Sequence, residues 1–186
     1  MIRSQQQKLN HVRVNTDLIL STELSLPNEL VESINKFEML DLSTHVEIDT
    51  YDFIKPLHNL CIEAFLKFDP TADIKTLLRV LLTKSVKNVF KEDNVHRDYD
   101  FLNYWSFLIH LKGNDGNTAF YDSIINPNIV KSFPFKPYTL IMFPSLYAHQ
   151  GYSPTTVDRY AINFIMEVES SLNKDILKNS SSSIFK

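Results

Sequence analysis

The spacing of apolar positions changes part-way along the chain, and the change divides it into two textures. Residues 51–68 place Phe53, Leu57, Leu60, Cys61, Ala64, Phe65 and Phe68 on a wide stripe of period 3.6, which predicts a core-facing amphipathic helix. Ahead of it, Leu26-Pro27-Asn28 has the form of a helix start, followed by Leu30, Ile34 and Phe37 at helical spacing. Asp69-Pro70 breaks the long stripe. Ile74, Leu77, Leu78, Leu81, Leu82, Val86, Val89 and Phe90 then rebuild it, so the spacing predicts a further helix within 72–90. Near the start, Val12–Leu20 is rich in β-branched and apolar residues and predicts a short strand.

After Asp93 the runs shorten. Tyr104–Leu111, Thr118–Tyr121, Tyr138–Phe143 and Tyr160–Met166 are aromatic and β-branched, and turn clusters such as Lys112–Asn117 and Pro154–Asp158 separate them. This predicts a compact antiparallel β unit. Helices first and strands later make an α+β arrangement. The three glycines, Gly113, Gly116 and Gly151, all lie in this second half, where tight turns would use them. Beyond Val168 the chain reads as a short helix followed by disorder, and no internal repeat is present.

Composition narrows the class without naming it. A chain of 186 residues with 44% apolar and 22% charged residues suits one soluble domain with a real core. The net charge of −3 supplies no general attraction to nucleic acid or to an anionic membrane. The single Cys61 cannot close an internal disulfide, the first residues lack a signal-peptide apolar core, and no apolar run approaches membrane-spanning length. The expectation is a cytoplasmic protein.

Candidate chemistry starts at His96-Arg97-Asp98. Side chains two apart on an extended segment share a face, so an imidazole and a carboxylate could reach one ion. Alone the pair is uninformative: six histidines and 22 acids give about 0.7 such pairs by chance, and His45-Val46-Glu47 is a second one. The company of the first pair separates them. His149 follows Asp98 by 51 positions, directly after the apolar run Thr139–Pro144, and Arg159 opens the run Arg159–Ile165 ten residues later. Starting from His45, the corresponding positions are His96 and Ser106, with an intervening chain that reads as helical. Two histidines and a carboxylate on one face of an octahedral ion make the facial triad of non-haem iron(II) oxygenases, with three positions open. A buried arginine offers a planar fork to a carboxylate. Arg159, Ala161 and Asn163 fall on one face of their strand, so Asn163 is either a neighbour of the metal ligands or a plain strand-end amide. Tyr99 and Tyr147 serve equally as lining of a substrate mouth or as packing. Tyr104 and Trp105 read as core or rim aromatics, and His11, His45 and His58 as structural or surface residues.

From His96 to Phe164 the motifs occur in a fixed order. These are His96-Arg97-Asp98, Ile109-His110-Leu111-Lys112, Asp115-Gly116-Asn117-Thr118-Ala119-Phe120, Met142-Phe143-Pro144, His149 and Arg159. Together they resemble the catalytic core of the iron(II)/2-oxoglutarate dioxygenase superfamily, in its prolyl 4-hydroxylase-like branch. The resemblance covers about seventy residues and implies a double-stranded β-helix (jelly roll) core with the N-terminal helices packed on one outer face. It implies iron(II) held by His96, Asp98 and His149, and 2-oxoglutarate as co-substrate held by Arg159 with His110 and Thr118. Ascorbate is then a candidate reductant. The implied reaction hydroxylates a C–H bond of a prolyl, peptidyl or small amino-acid-like substrate and releases succinate and carbon dioxide. Two departures and one retained feature stand out. His110 occupies a position where the family often has tyrosine, the Gly116 turn has one glycine where two are usual, and Asp98 retains the carboxylate that halogenase relatives lack. The expected organisation is one domain over 1–186, with a mainly helical part at 1–92, the catalytic β-helix at 93–168 and a flexible tail at 169–186. The partner is a small-molecule or peptide substrate and not nucleic acid, with oligomeric state open. Two alternatives are a non-catalytic β-helix binding or structural module, and a cupin-like metalloenzyme that does not use 2-oxoglutarate.

Overall fold

The computed structural model describes residues 14–39, 41–89, 95–125 and 127–176. Its elements are β1 (Leu20–Glu23), α1 (Asn28–Lys36), β2 (Ser43–His45), α2 (Ile54–Phe68), β3 (Asp73–Ser85), β4 (Tyr104–Lys112), β5 (Thr118–Tyr121), β6 (Ile129–Phe133), β7 (Thr139–Pro144), β8 (His149–Gly151) and β9 (Arg159–Glu169), with 3-10 turns at Thr16–Leu18 and Ser171–Lys174. The strands form two antiparallel sheets. The larger has the order β1-β7-β4-β9-β3-β2, and the smaller the order β6-β5-β8.

Most of the core lies on one face of the larger sheet. Ile162, Phe164, Met166 and Val168 of β9, Trp105, Phe107 and Ile109 of β4, and Leu57, Cys61 and Phe65 of α2 belong to one buried cluster. Phe65 is fully buried and meets Trp105 and Phe107 edge-on, at centroid separations of 4.9 and 5.6 Å. Burial of one such ring is worth about 2–3 kcal/mol. The other face of the sheet turns toward the smaller sheet, where Phe120 of β5 lies edge-on to Phe143 of β7 at 4.8 Å. Helix α2 stops where the sequence breaks: Asp69 caps it in an extended conformation and Pro70 follows. The Asp69 carboxylate accepts hydrogen bonds from Thr71, Ser170 and Ser171, which fastens the helix end to the chain after β9.

Several predicted elements stand, and two do not. Helices α1 and α2 and strands β4, β5, β7 and β9 fall where the patterns put them, within a few residues. Residues 72–90, read as a helix, hold the thirteen-residue strand β3, which pairs along its length with β9. Two irregularities in that pairing, between Ile74 and Thr76 and between Leu77 and Arg79, explain the error. Each extra residue resets the alternation. Ile74, Leu77 and Val80 therefore face the same side as Val168, Met166 and Phe164, and three core positions three apart imitate a helix. The first predicted strand is a 3-10 turn followed by β1, and Val12 lies outside the described residues. Gly113 and Gly116 do sit at positive φ, whereas Gly151 lies within β8. Past Val168 the chain stays attached through its 3-10 turn: Trp105 donates from its indole nitrogen to Asn173 at 2.8 Å, and Ile176 is fully buried. Of the flexible tail expected over 169–186, residues 171–176 are instead fixed by these contacts, and 177–186 lie outside the described residues. No helix among the described residues is long and apolar enough to cross a membrane.

Candidate metal centre

The two halves of the His-x-Asp…His set arrive from different directions and are fixed by backbone. His96 and His149 exchange hydrogen bonds, N–H to carbonyl in each direction at 3.0 and 2.9 Å, so the 95–99 segment docks as an extra pairing on the edge of β8. The Asp98 and Tyr99 amides donate to the Ser145 carbonyl at 2.9 and 3.2 Å. Residue 98 is thereby held against the end of β7, and the two ligand segments meet regardless of any side-chain interaction.

One potential ligand atom from each of His96, Asp98 and His149 lies within 4.8 Å of the others. His149 Nε2 is 3.7 Å from Asp98 Oδ2, and His96 Nε2 is 3.8 Å from Asp98 Oδ1. The His149 ring donates from Nδ1 to the Tyr147 carbonyl at 3.0 Å, a bond that leaves the Nε2 lone pair facing the carboxylate. Asp98 Oδ2 accepts from Ser106 Oγ at 2.7 Å and from Asn163 Nδ2 at 2.8 Å, while Oδ1 accepts from Arg79 at 3.3 Å. Ser106 also shares a 2.8 Å hydroxyl contact with Ser145.

The electrostatics favour the form a cation needs. Burial pushes the Asp98 carboxyl upward, but His149, Ser106, His96 and Asn163 outweigh it and hold the group below its ordinary value. Burial lowers the His149 imidazole against the pull of Asp98. An ionised carboxylate beside a neutral imidazole is the protonation state of a metal-ready site. Two imidazole nitrogens and a carboxylate oxygen suit a first-row divalent ion such as iron(II), and the fixed His149 tautomer adds to that fit.

Arg159, 7% exposed, sits at the start of β9 and lines the same cavity of about 270 Å³ as His96, Asp98, His149, Thr118 and Asn163. Its Nη1 donates to the Gly116 carbonyl at 2.6 Å and more weakly to Asn117 at 3.4 Å. Burial lowers its affinity for the proton to a pKa of about 10, so it remains a cation. Gly151 makes room for its guanidinium, while Gly116 lets the neighbouring backbone pass close to Tyr152. A Cβ on Gly151 would lie 2.2 Å from Arg159 Nη2, and one on Gly116, at φ +91°, would lie 2.7 Å from the Tyr152 carbonyl. His110 is fully buried, shares a 3.2 Å contact between Nε2 and Thr118 Oγ1, and stacks on Phe135 at 4.5 Å. Burial, reinforced by the Arg159 charge, drops its pKa to about 4, so the ring is neutral.

The structure therefore brings together His96, Asp98, His149, Arg159 and Thr118 around one cavity, with His110 bonded to Thr118 beside it. Asn163 reaches Asp98 directly. Tyr147 does not line a mouth: it is fully buried, and its hydroxyl accepts from the Asn15 amide at 3.2 Å. Tyr99 packs against Phe101 and Tyr104 at 5.2 and 4.7 Å. Trp105 is core, as its neighbours suggested. His45 is exposed and His58 packs against Phe164 at 5.6 Å, while His11 lies outside the described residues. Ser106, Ser145 and Arg79 escaped the sequence reading. Ser106 could have been found, since it shares a β4 face with Leu108 and His110, and the same register pairs those two with Asn163 and Ala161.

No protein-family profile matches the chain, and no curated protein matches it. Solved structures do match its fold. A viral collagen prolyl hydroxylase from Paramecium bursaria chlorella virus-1, in a 2-oxoglutarate complex, superposes with a TM-score of 0.51 at 13% identity, over 82% of this chain and 97% of that one. HygX from Streptomyces hygroscopicus, with iron bound, gives 0.53 at 12% identity over 90% and 87%. A prolyl 4-hydroxylase structure from Phytophthora capsici gives 0.53 at 11% identity over 90% and 66%. The chain therefore shares its fold with these two prolyl hydroxylases and with iron-bound HygX.

Proposed function

We propose that the chain is an iron(II)- and 2-oxoglutarate-dependent oxygenase that hydroxylates a C–H bond of a prolyl, peptidyl or small amino-acid-like substrate. The observation that carries this reading is the shared cavity. Three potential ligands of the right types face one point, and a buried arginine lines the same space. On this reading the two facing sheets are the double-stranded β-helix of a single domain, with α1 and α2 on its outer face. Iron(II), when bound, supplies the oxygen chemistry that couples 2-oxoglutarate decarboxylation to substrate oxidation.

The residues divide the remaining work. His96 and His149 hold the metal through Nε2, and Asp98 holds it through a carboxylate that Ser106 and Asn163 keep in one orientation. Arg159 pairs with the distal carboxylate of 2-oxoglutarate, and the neutral His110 and the Thr118 hydroxyl supply polar contacts without adding charge. Water exclusion follows from the walls, where Leu81, Leu108 and Ala161 line the cavity. The test is oxygen-dependent succinate formation from 2-oxoglutarate with iron(II), measured on the full chain and on His96→Ala and Arg159→Ala. Loss in both variants is expected. Absence of iron binding by the wild type, or 2-oxoglutarate affinity indifferent to Arg159, rules the assignment out.

A further inference from the structure

Asp98 is shared between the cluster just described and a cation that the chain itself provides. Its Oδ2 already receives two donors, Ser106 at 2.7 Å and Asn163 at 2.8 Å, which occupy both lone pairs of that oxygen. Oδ1 is the oxygen with capacity left. It lies 3.8 Å from His96 Nε2 and accepts from the guanidinium of Arg79 at 3.3 Å.

Arg79 is held loosely for an arginine on a buried carboxylate. It makes a single long contact instead of a two-pronged one, and its buried Nε has no hydrogen-bond partner among the described residues. It also forms part of the wall of a second cavity, of about 710 Å³, bounded by Thr44, His45, Glu47, Tyr51 and Leu77. Arg79 stands on β3 opposite Ile165 of β9, next to the irregularity at Leu77, so local backbone pairing is already relaxed there. A side chain with one weak bond, a side chain exposure of 27% and an open cavity with a carboxylate on its wall has somewhere to go.

We propose that Arg79 competes with the metal for Asp98 Oδ1, pairing with the carboxylate in the metal-free chain and giving way when a divalent cation binds. The inference rests on the oxygenase reading of the triad and adds to it a residue that sets metal affinity. A fixed positive charge against the ligating oxygen opposes a dication directly. It also keeps the buried carboxylate compensated when no metal is present, where an uncompensated charge would destabilise the fold. Arg79 is therefore a positioning residue whose effect on the metal is unfavourable. A purely orienting residue, such as Asn163, would favour it.

That sign is what the experiment reads. Cobalt(II) alone is titrated into the full-length wild type, Arg79→Gln, Arg79→Met and Arg79→Lys, with affinity followed by calorimetry and melting temperature recorded with and without the metal. Competition gives at least ten-fold tighter cobalt binding in Arg79→Gln or Arg79→Met, affinity within three-fold of wild type in Arg79→Lys, and a lower metal-free melting temperature in the neutral variants. Unchanged or weaker binding in a folded neutral variant overturns the inference while leaving the metal site standing. Absence of cobalt binding by the wild type defeats the oxygenase reading itself, and this inference with it. Activity enters none of these outcomes.

Discussion

Gly151→Ala isolates the contribution of Arg159 without touching that residue. An ideal Cβ at position 151 would lie 2.2 Å from Arg159 Nη2, 3.2 Å from Cζ and 3.4 Å from Nη1. Ordinary contact begins near 3.4 Å, so the end of the guanidinium must move by about 1.2 Å. The neighbour that gives way is the tip of a flexible side chain, so the fold survives. Its 2.6 Å bond to the Gly116 carbonyl does not survive a shift of that size. Loss of that charge-assisted bond, partly recovered by a new arrangement, lowers unfolding stability by about 1 kcal/mol. The effect on co-substrate is larger. A carboxylate fork tolerates displacement of only about 0.5 Å. Misplacing it costs about 2–3 kcal/mol, equivalent to about 30- to 150-fold weaker 2-oxoglutarate binding. Calorimetry with 2-oxoglutarate on the metal-loaded protein measures this, with metal affinity expected to stay within three-fold of wild type. A folded Gly151→Ala protein that binds 2-oxoglutarate as tightly as wild type would show that Arg159 does not hold the co-substrate.

Three further outcomes are expected. Phe65→Ala removes a ring packed between Trp105 and Phe107 and should destabilise the protein by about 3–5 kcal/mol, read from urea unfolding. Asp69, pulled down to a pKa of about 2 first by Ser170 and then by Thr71, contributes stability that is complete above its ordinary 3.8 and lost as pH falls toward 2. Asp69→Asn should therefore lower stability by about 1–2 kcal/mol at pH 7, and the difference should shrink as pH falls below 3.8 and through the folded pKa of about 2, by the same unfolding assay. The depressed His110 has the opposite origin but the same direction: an unfolded imidazole takes up its proton near 6.5 while the buried one waits until about 4. Its neutral burial thus costs stability progressively as pH drops from 6.5 to 4, and nuclear magnetic resonance of the ring should show no titration between pH 5 and 8. A midpoint near 6.5 in the folded protein would contradict the buried, Arg159-facing environment.

How much of this could be read from residues alone depended on whether local pattern and tertiary role agreed. In β4, β7 and β9 they did, because apolar and aromatic residues run almost continuously where both faces of a sheet are covered. In β3 they disagreed: the two pairing irregularities rearranged the core positions into a helical spacing, and Arg79 disappeared into a supposed helix face. Strand β8 has only three residues and takes its identity from pairing with β5 and from the bridge to His96, neither of which leaves a local periodicity. The ligands were legible because their chemistry is constrained in type and order. The partners of Asp98 were not, since a serine, an asparagine and an arginine on three different strands converge only after the sheet has formed.

The reciprocal hydrogen bonds between His96 and His149 give the metal site a second character. The 95–99 segment docks through main-chain bonds to β8 and to Ser145, with Val95 and Tyr99 as its apolar contacts. An ion gripped by His96 and His149 would clasp together stretches of chain 53 positions apart, closing a long loop at one point. By linkage, whatever strengthens that docking tightens the ion, and the ion in turn slows fraying of the segment. Amide exchange at His96 thus becomes a gauge of occupancy, and the cofactor takes on part of the role of a cross-link.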